Sequence, residues 1–152
     1  MSSRKVLSLL VAVCFGLVMA GVAVATDKGP ETTTMESKVF PKHKKSLVTF
    51  SHQKHNVDYK ITCDDCHHVY KDGKNVWKEG DEVQKCEACH TGAKAPKAKE
   101  GETALTKKEK IKGYMYSAIH ANCSGCHKSL KKANKELVIP TKCGECHPKV
   151  AK

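Results

Sequence analysis

Aromatic side chains are scarce in this 152-residue chain: one Trp, four Tyr and three Phe make up 5% of it. Buried aromatics normally carry much of a domain's core energy, so an ordinary hydrophobic interior is poorly supplied here. Long apolar runs are scarce too. The run at residues 6–24 is broken only by Ser8 and small residues, follows Arg4 and Lys5, and ends in Ala23-Val24-Ala25 before the polar Thr26-Asp27-Lys28. A charged start, an apolar stretch and small residues at the cleavage position make a secretory signal peptide, so residues 1–25 are expected to be removed on export to the periplasm. A retained anchor is the alternative, since about 20 apolar residues can span a bilayer. Bulky Val13 stands before Cys14, where a lipoprotein would need a small residue. Cleavage leaves 152 − 25 = 127 residues, the length of one domain, and much of the aliphatic content goes with the leader.

Methionine is also in short supply, with only Met35 and Met115 beyond the leader. Acidic residues are outnumbered, 16 against 27 basic, for a formal charge of +11. Without Arg4 and Lys5 the balance is 25 − 16 = +9. Such a balance usually invites nucleic acid or an anionic membrane. An exported chain meets no genome, so nucleic acid is not expected as a partner.

Cysteine is abundant, and its placement is regular. Cys-x-x-Cys-His occurs four times: Cys63-Cys66-His67, Cys86-Cys89-His90, Cys123-Cys126-His127 and Cys143-Cys146-His147. This pentad is the attachment signature of c-type haem. Its two thiols form thioethers with the porphyrin vinyl groups, and the adjacent imidazole ligates the iron. Eight of the nine cysteines are accounted for; the ninth, Cys14, lies in the leader. Zinc ribbons also pair C-x2-C units, across about 15–20 residues. Nineteen residues separate Cys66 from Cys86 and sixteen separate Cys126 from Cys143, so cysteine spacing alone admits zinc. A four-cysteine zinc site, however, has no use for a histidine after every second cysteine, and five more histidines would stand idle. Disulfides within each pair would close tiny loops, which constrain an unfolded chain weakly.

Four haems on 127 residues leave about 32 residues each (127/4), so the porphyrins must supply much of the interior. The fold expected is a small multihaem cytochrome c fold: mostly coil, a few short α-helices, a small β-hairpin, and a polypeptide wrapped around four haems. The apoprotein is not expected to fold. Four irons held by His67, His90, His127 and His147 need sixth ligands, and His43, His52, His55, His68 and His120 remain. Methionine would raise the potential, but two methionines cannot serve four irons. Bis-histidine ligation throughout is the economical reading, giving low-potential, low-spin, saturated centres suited to electron transfer and not to catalysis. His52 and His55, three apart, share a face of one helical turn and can serve two neighbouring haems. His68, diverging from His67, must reach a different iron. His120 precedes Cys123, and His43, in a lysine-rich stretch, is the expected spare.

The element Phe50-Ser51-His52-x-x-His55, the first motif Cys63-x-x-Cys66-His67-His68, and His120 after a helix containing Gly113-Tyr114 together resemble the tetrahaem cytochrome c3 family (class III c-type cytochromes) over about residues 39–148. The resemblance implies that His52 pairs with His67 on the first haem, His68 with His90 on the second, His55 with His127 on the third and His120 with His147 on the fourth. Many family members carry four residues between the cysteines of the second and fourth motifs, where this chain carries two. The resemblance also implies a low-potential carrier that takes electrons from periplasmic hydrogenase or formate dehydrogenase and passes them to a membrane-bound cytochrome complex in anaerobic, typically sulfate-reducing, bacteria.

Between the motifs, residues 26–45 read as an N-terminal extension, loose over 26–37, and residues 46–152 as the tetrahaem domain. Residues 47–50 read as an extended piece entering the His52/His55 turn. Asp72-Gly73 between Val69-Tyr70 and Val76-Trp77 predicts a hairpin, with Trp77 packed on a haem face. Residues 91–103 read as a surface loop. Thr106 and Glu109 form a capping box, and Ile111, Tyr114, Met115, Ala118 and Ile119 form one apolar stripe on a helix that delivers His120. A second helix is expected over 123–136. Haem propionates offset the positive charge, so lysine placement counts for more than the sum. Lysines at 107, 108, 110 and 112, at 128, 131, 132 and 135, and at 142 and 149 would form a collar that steers an acidic redox protein, chiefly through on-rate. After cleavage a monomer with no stable membrane insertion is expected.

Overall fold

The computed structural model describes residues 29–149; the expected signal peptide and Cys14 lie outside the described residues. Regular structure is sparse and short, as the composition predicts. β1 (Thr33–Met35) pairs antiparallel with β2 (Val48–Phe50), Thr33 opposite Phe50. A π-helical turn at Lys54–Asp58 follows, and β3 (Tyr70–Lys71) pairs with β4 (Lys74–Asn75). The helices come late: α1 (Lys107–Gly113), α2 (Met115–His120), α3 (Cys126–Ala133) and the single turn α4 (Cys143–Cys146). A second π-helical turn, Ala121–Gly125, joins α2 to α3. Among the described residues no helix is long and apolar enough to cross a membrane.

The hairpin follows from its turn chemistry. Asp72 and Gly73 both have positive φ (50° and 77°), as a two-residue turn between right-twisted strands requires. The capping box at the start of α1 also forms: the Glu109 carboxylate accepts from the Thr106 N–H at 2.7 Å, and the Glu109 N–H donates to the Thr106 hydroxyl at 3.2 Å.

Four expectations are corrected. The segment read as loose contains β1, and buried Ser37 with exposed Lys38 continues it toward the second motif, where the Lys38 N–H donates to the Glu87 carboxylate at 2.9 Å. The helix from Thr106 does not run unbroken to His120. Tyr114 is extended (φ −130°, ψ 122°), because residues 91–93 cross the chain there. The Gly92 N–H donates to the Gly113 carbonyl (2.9 Å), the Met115 N–H to the Gly92 carbonyl (2.7 Å) and the Tyr116 N–H to the Ala93 carbonyl (3.0 Å). These bonds satisfy the first amides of α2, which a helix start otherwise leaves orphaned. The crossing also makes the beginning of the expected 91–103 surface loop a structural strut. The helix expected over 123–136 ends at Ala133, where Asn134 turns extended and its side chain accepts from the Glu136 N–H.

The crossing is close enough to require glycine. A Cβ at Gly92 would stand 2.6 Å from Tyr114 Cδ1 and 2.9 Å from the Gly113 carbonyl oxygen. Gly92→Ala is expected to destabilise the holoprotein by about 1–3 kcal/mol, as overpacking does, measured by denaturant titration against wild type.

Buried apolar side chains are very few. Among the described residues they are Trp77, Met115 and Ala118. Ile111, Tyr114 and Ile119 of the apolar stripe are only partly covered. The chain is thus a frame of short elements around the histidines and cysteines, not a closed core.

Candidate functional site

Each Cys-x-x-Cys-His unit is a tight turn. In the first, Cys63–Asp65 is a 3-10 turn, and the His67 N–H donates to the Cys63 carbonyl at 2.8 Å. In the second, Cys86–Ala88 does the same, with the His90 N–H on the Cys86 carbonyl at 2.9 Å. In the fourth, α4 closes with the His147 N–H on the Cys143 carbonyl at 2.8 Å, and the Glu145 carboxylate accepts from the Thr141 and Lys142 amides. The third is helical, with Cys123 in the π-turn and Cys126 and His127 opening α3. One turn therefore carries both thiols and the imidazole of each motif.

The eight thiols at these positions are free of disulfides. Among the described residues no three His, Cys, Asp or Glu side chains converge to hold a metal ion, so the four-thiolate centre of a zinc ribbon is not assembled. Burial pushes the Cys123 thiol up to about 11, with Cys66, Cys146 and Cys86 adding to it. Burial likewise raises Cys66, Cys86 and Cys146. These four shifts run opposite to the depressed thiol pKa of a nucleophile or a cationic pocket.

The histidines are paired across the molecule. Ring centroids lie 6.2 Å apart for His52 and His67, 6.0 Å for His68 and His90, 6.2 Å for His55 and His127, and 6.4 Å for His120 and His147. An imidazole nitrogen sits about 2.0 Å from a bound metal and about 1.1 Å from its own ring centre, so two rings on opposite sides of one metal have centroids about 6.2 Å apart. All four pairs stand at that separation. His43 is exposed and meets the Phe40 ring edge-on at 5.7 Å.

The second nitrogen of five of these rings is committed to the backbone. Nδ1 donates to the carbonyl of Ser51 from His55 (2.8 Å), of Lys112 from His90 (3.1 Å), of Tyr116 from His120 (2.7 Å), of Pro140 from His127 (2.7 Å) and of Ser46 from His147 (2.7 Å). A carbonyl can only accept, so each of these rings carries its proton on Nδ1 and keeps Nε2 as a lone-pair donor. That is how ligating histidines are oriented in metal sites. Burial, then the neighbouring His52 and His68, lowers the His67 pKa, which favours the neutral ring.

Neighbouring elements hold these rings in place. Asn75 in β4 donates to the His67 carbonyl at 3.1 Å and accepts from the Val69 and Trp77 amides, fastening the hairpin to the first motif. Trp77 is buried with its ring 5.1 Å from that of His67, and its Nε1–H donates to the Glu82 carbonyl. Met115 is buried in α2. A cavity of about 600 Å³ opens at the fourth motif, between Cys143, Cys146 and His147 on one side and His120 and Tyr116 on the other. Lys107, Lys110, Lys128 and Lys142 line it, four of the lysines singled out by position in the sequence.

The sequence did not disclose Tyr116, whose ring lies 4.2 Å from His120 and under the Lys94 ammonium at 5.0 Å. Nor did it disclose the carbonyl partners. Ser51 and Tyr116 lie four residues before their histidines, so helical spacing could have pointed to them. Ser46, Lys112 and Pro140 meet theirs only through tertiary folding.

The paired rings, the five Nδ1 commitments and the thiol pairs fit haem c, and at the fourth motif a cavity opens beside them. Comparison with known proteins agrees. The Class III cytochrome C family model matches residues 28–147. Cytochrome c3 of Maridesulfovibrio salexigens is 37% identical over 126 residues, covering 79% of this chain and 95% of that protein. Cytochrome c3 of Desulfovibrio desulfuricans is 31% identical over 127 residues, with 79% and 96% covered. Cytochrome c7 of Geobacter metallireducens is 45% identical over 40 residues, 26% of this chain and 38% of that protein. With short helices, a small antiparallel hairpin and much coil arranged around repeated Cys-x-x-Cys-His turns, the chain belongs to the class III cytochrome c family, small multihaem electron carriers.

Proposed function

We propose that this chain is a periplasmic, low-potential electron carrier with four covalent c-type haems, each iron held between the two histidines of one pair: His52 and His67, His68 and His90, His55 and His127, His120 and His147. The observation that carries this reading is the common separation of the four ring pairs, 6.0 to 6.4 Å between centroids. Cys63 and Cys66, Cys86 and Cys89, Cys123 and Cys126, and Cys143 and Cys146 attach the porphyrins. The haem supplies reversible one-electron iron chemistry. The protein supplies two strong nitrogen donors per iron, which favour the oxidised state and hold the potential low. With both histidines of each pair on one iron, no position would be left open to a substrate, which fits a carrier and not an enzyme.

The lysines around the cavity at the fourth motif support a docking role for that end of the molecule. An acidic partner such as a periplasmic hydrogenase, a formate dehydrogenase or a membrane-bound cytochrome complex would be drawn there electrostatically, and the rate would fall as salt screens the attraction. Electrons would pass from such a donor to a membrane complex in anaerobic respiration.

The deciding experiment is a pyridine haemochrome assay on protein recovered from a periplasm competent for haem attachment, read alongside the low-temperature spin state. Four haems per chain, all low-spin, are expected. Fewer haems would mean that some motifs are unused, and a high-spin haem in the wild type would remove the bis-histidine assignment for that centre.

A further inference from the structure

His52 is oriented differently from five of its counterparts. His55, His90, His120, His127 and His147 each lock their rings through Nδ1–H on a backbone carbonyl. The Nδ1 of His52 is buried and has no hydrogen-bond partner. The chain presses against this ring instead. Gly29, at φ +69°, lies so near that a Cβ there would stand 2.7 Å from His52 Cε1 and 3.0 Å from Nδ1. The next residue after His52 holds Gly29 in place: the Gln53 side-chain amide donates to the Gly29 carbonyl at 2.9 Å, and the Gln53 N–H donates to the Glu31 carbonyl at 3.2 Å. β1, two residues further along, then fixes this strap to β2, with Thr33 opposite Phe50.

We infer that Gly29 and Gln53 are positioning residues for His52: the N-terminal strap sets the plane of this ring by contact, in place of the Nδ1 hydrogen bond that orients five of the other histidines. The inference rests on His52 being an axial ligand of the first haem. Glycine is required for two reasons here, the left-handed backbone and the lack of space for a side chain. Without a carbonyl to hold it, the ring is free to rotate once the strap is displaced. Rotation weakens its bond to iron, and a weaker donor stabilises oxidised iron less.

The test uses the holoprotein with Gly29→Ala and, separately, Gln53→Ala, which loosens the strap without adding bulk. Low-temperature electron paramagnetic resonance and a spectroelectrochemical titration are read for each haem. Outer-sphere changes commonly shift metal-site equilibria by about 10–100-fold. Both variants should change the g values of one haem and raise its potential by about tenfold in its reduction equilibrium, about 59 mV for one electron, leaving the other three as in wild type. Unchanged spectra and potentials in both variants would overturn the positioning role, and so would equal changes at all four haems. Failure of the ligand assignment itself would show separately: His52→Ala would then leave every haem low-spin.

Discussion

Synthesised without haem attachment, the chain is expected to be unfolded, with a coil-like far-ultraviolet circular dichroism spectrum and no cooperative thermal transition. The reason is the near absence of a protein core. Trp77, Met115 and Ala118 are the buried apolar side chains among the described residues, and full burial contributes about 1.5–3 kcal/mol for a large side chain. Ordering the backbone costs about 1–2 kcal/mol per residue. A few such side chains cannot offset that cost over a domain of this length, and strands of two or three residues add little. Haem supplies the missing apolar surface, and each thioether pair with its axial histidines ties distant parts of the chain together. A cysteine-to-alanine variant at all eight attachment positions makes the comparison in one host. A cooperative transition in that variant would show that the polypeptide folds without its cofactors.

Opening one iron should have the second large effect. His120→Ala is expected to convert one haem of four to high spin and to allow binding of one equivalent of carbon monoxide, whereas wild type binds none. The cavity at the fourth motif, with His120 on one wall and His147 on the other, gives an incoming ligand room. His120→Met should keep that iron six-coordinate and raise its potential by on the order of 0.1–0.2 V, a fraction of the about 0.8 V that axial ligands span. His43→Ala is the control, since that exposed ring faces Phe40 and no motif histidine; its spectrum should match wild type. A high-spin haem in His43→Ala together with none in His120→Ala would reverse the assignment of the spare.

Much of the candidate site is legible in sequence because its chemistry is local. A Cys-x-x-Cys-His unit folds into one turn wherever it lies, and Asp72-Gly73 supplies the two left-handed residues its hairpin needs. The Thr106 and Glu109 capping box is equally self-contained. What sequence could not disclose depends on segments meeting at a distance. The apolar stripe from Ile111 to Ile119 keeps helical spacing through Tyr114, yet the helix is interrupted there because residues 91–93 pair across it. β1 is too short to give a periodic signal and owes its existence to β2. The tautomers of His90, His127 and His147 depend on carbonyls 22, 13 and 101 residues away in the chain. The family resemblance proposed which histidines pair; only the folded chain brings those rings opposite one another.

Under the proposed ligation, the placement of the histidines has a further consequence. Adjacent His67 and His68 serve the first and second haems, the turn carrying His52 and His55 serves the first and third, and the helical run from His120 to His127 serves the third and fourth. Each step of the conducting path is therefore gauged by a peptide bond, a single turn or a short helix, and never by a surface loop. The loop over 95–105, which carries no paired histidine and no carbonyl partner of one, can drift in length, charge and partner preference while the distances between redox stations stay fixed. Conductor and casing are thereby separated, so that selection can refit the outside of the molecule to a new donor without retuning the wire within.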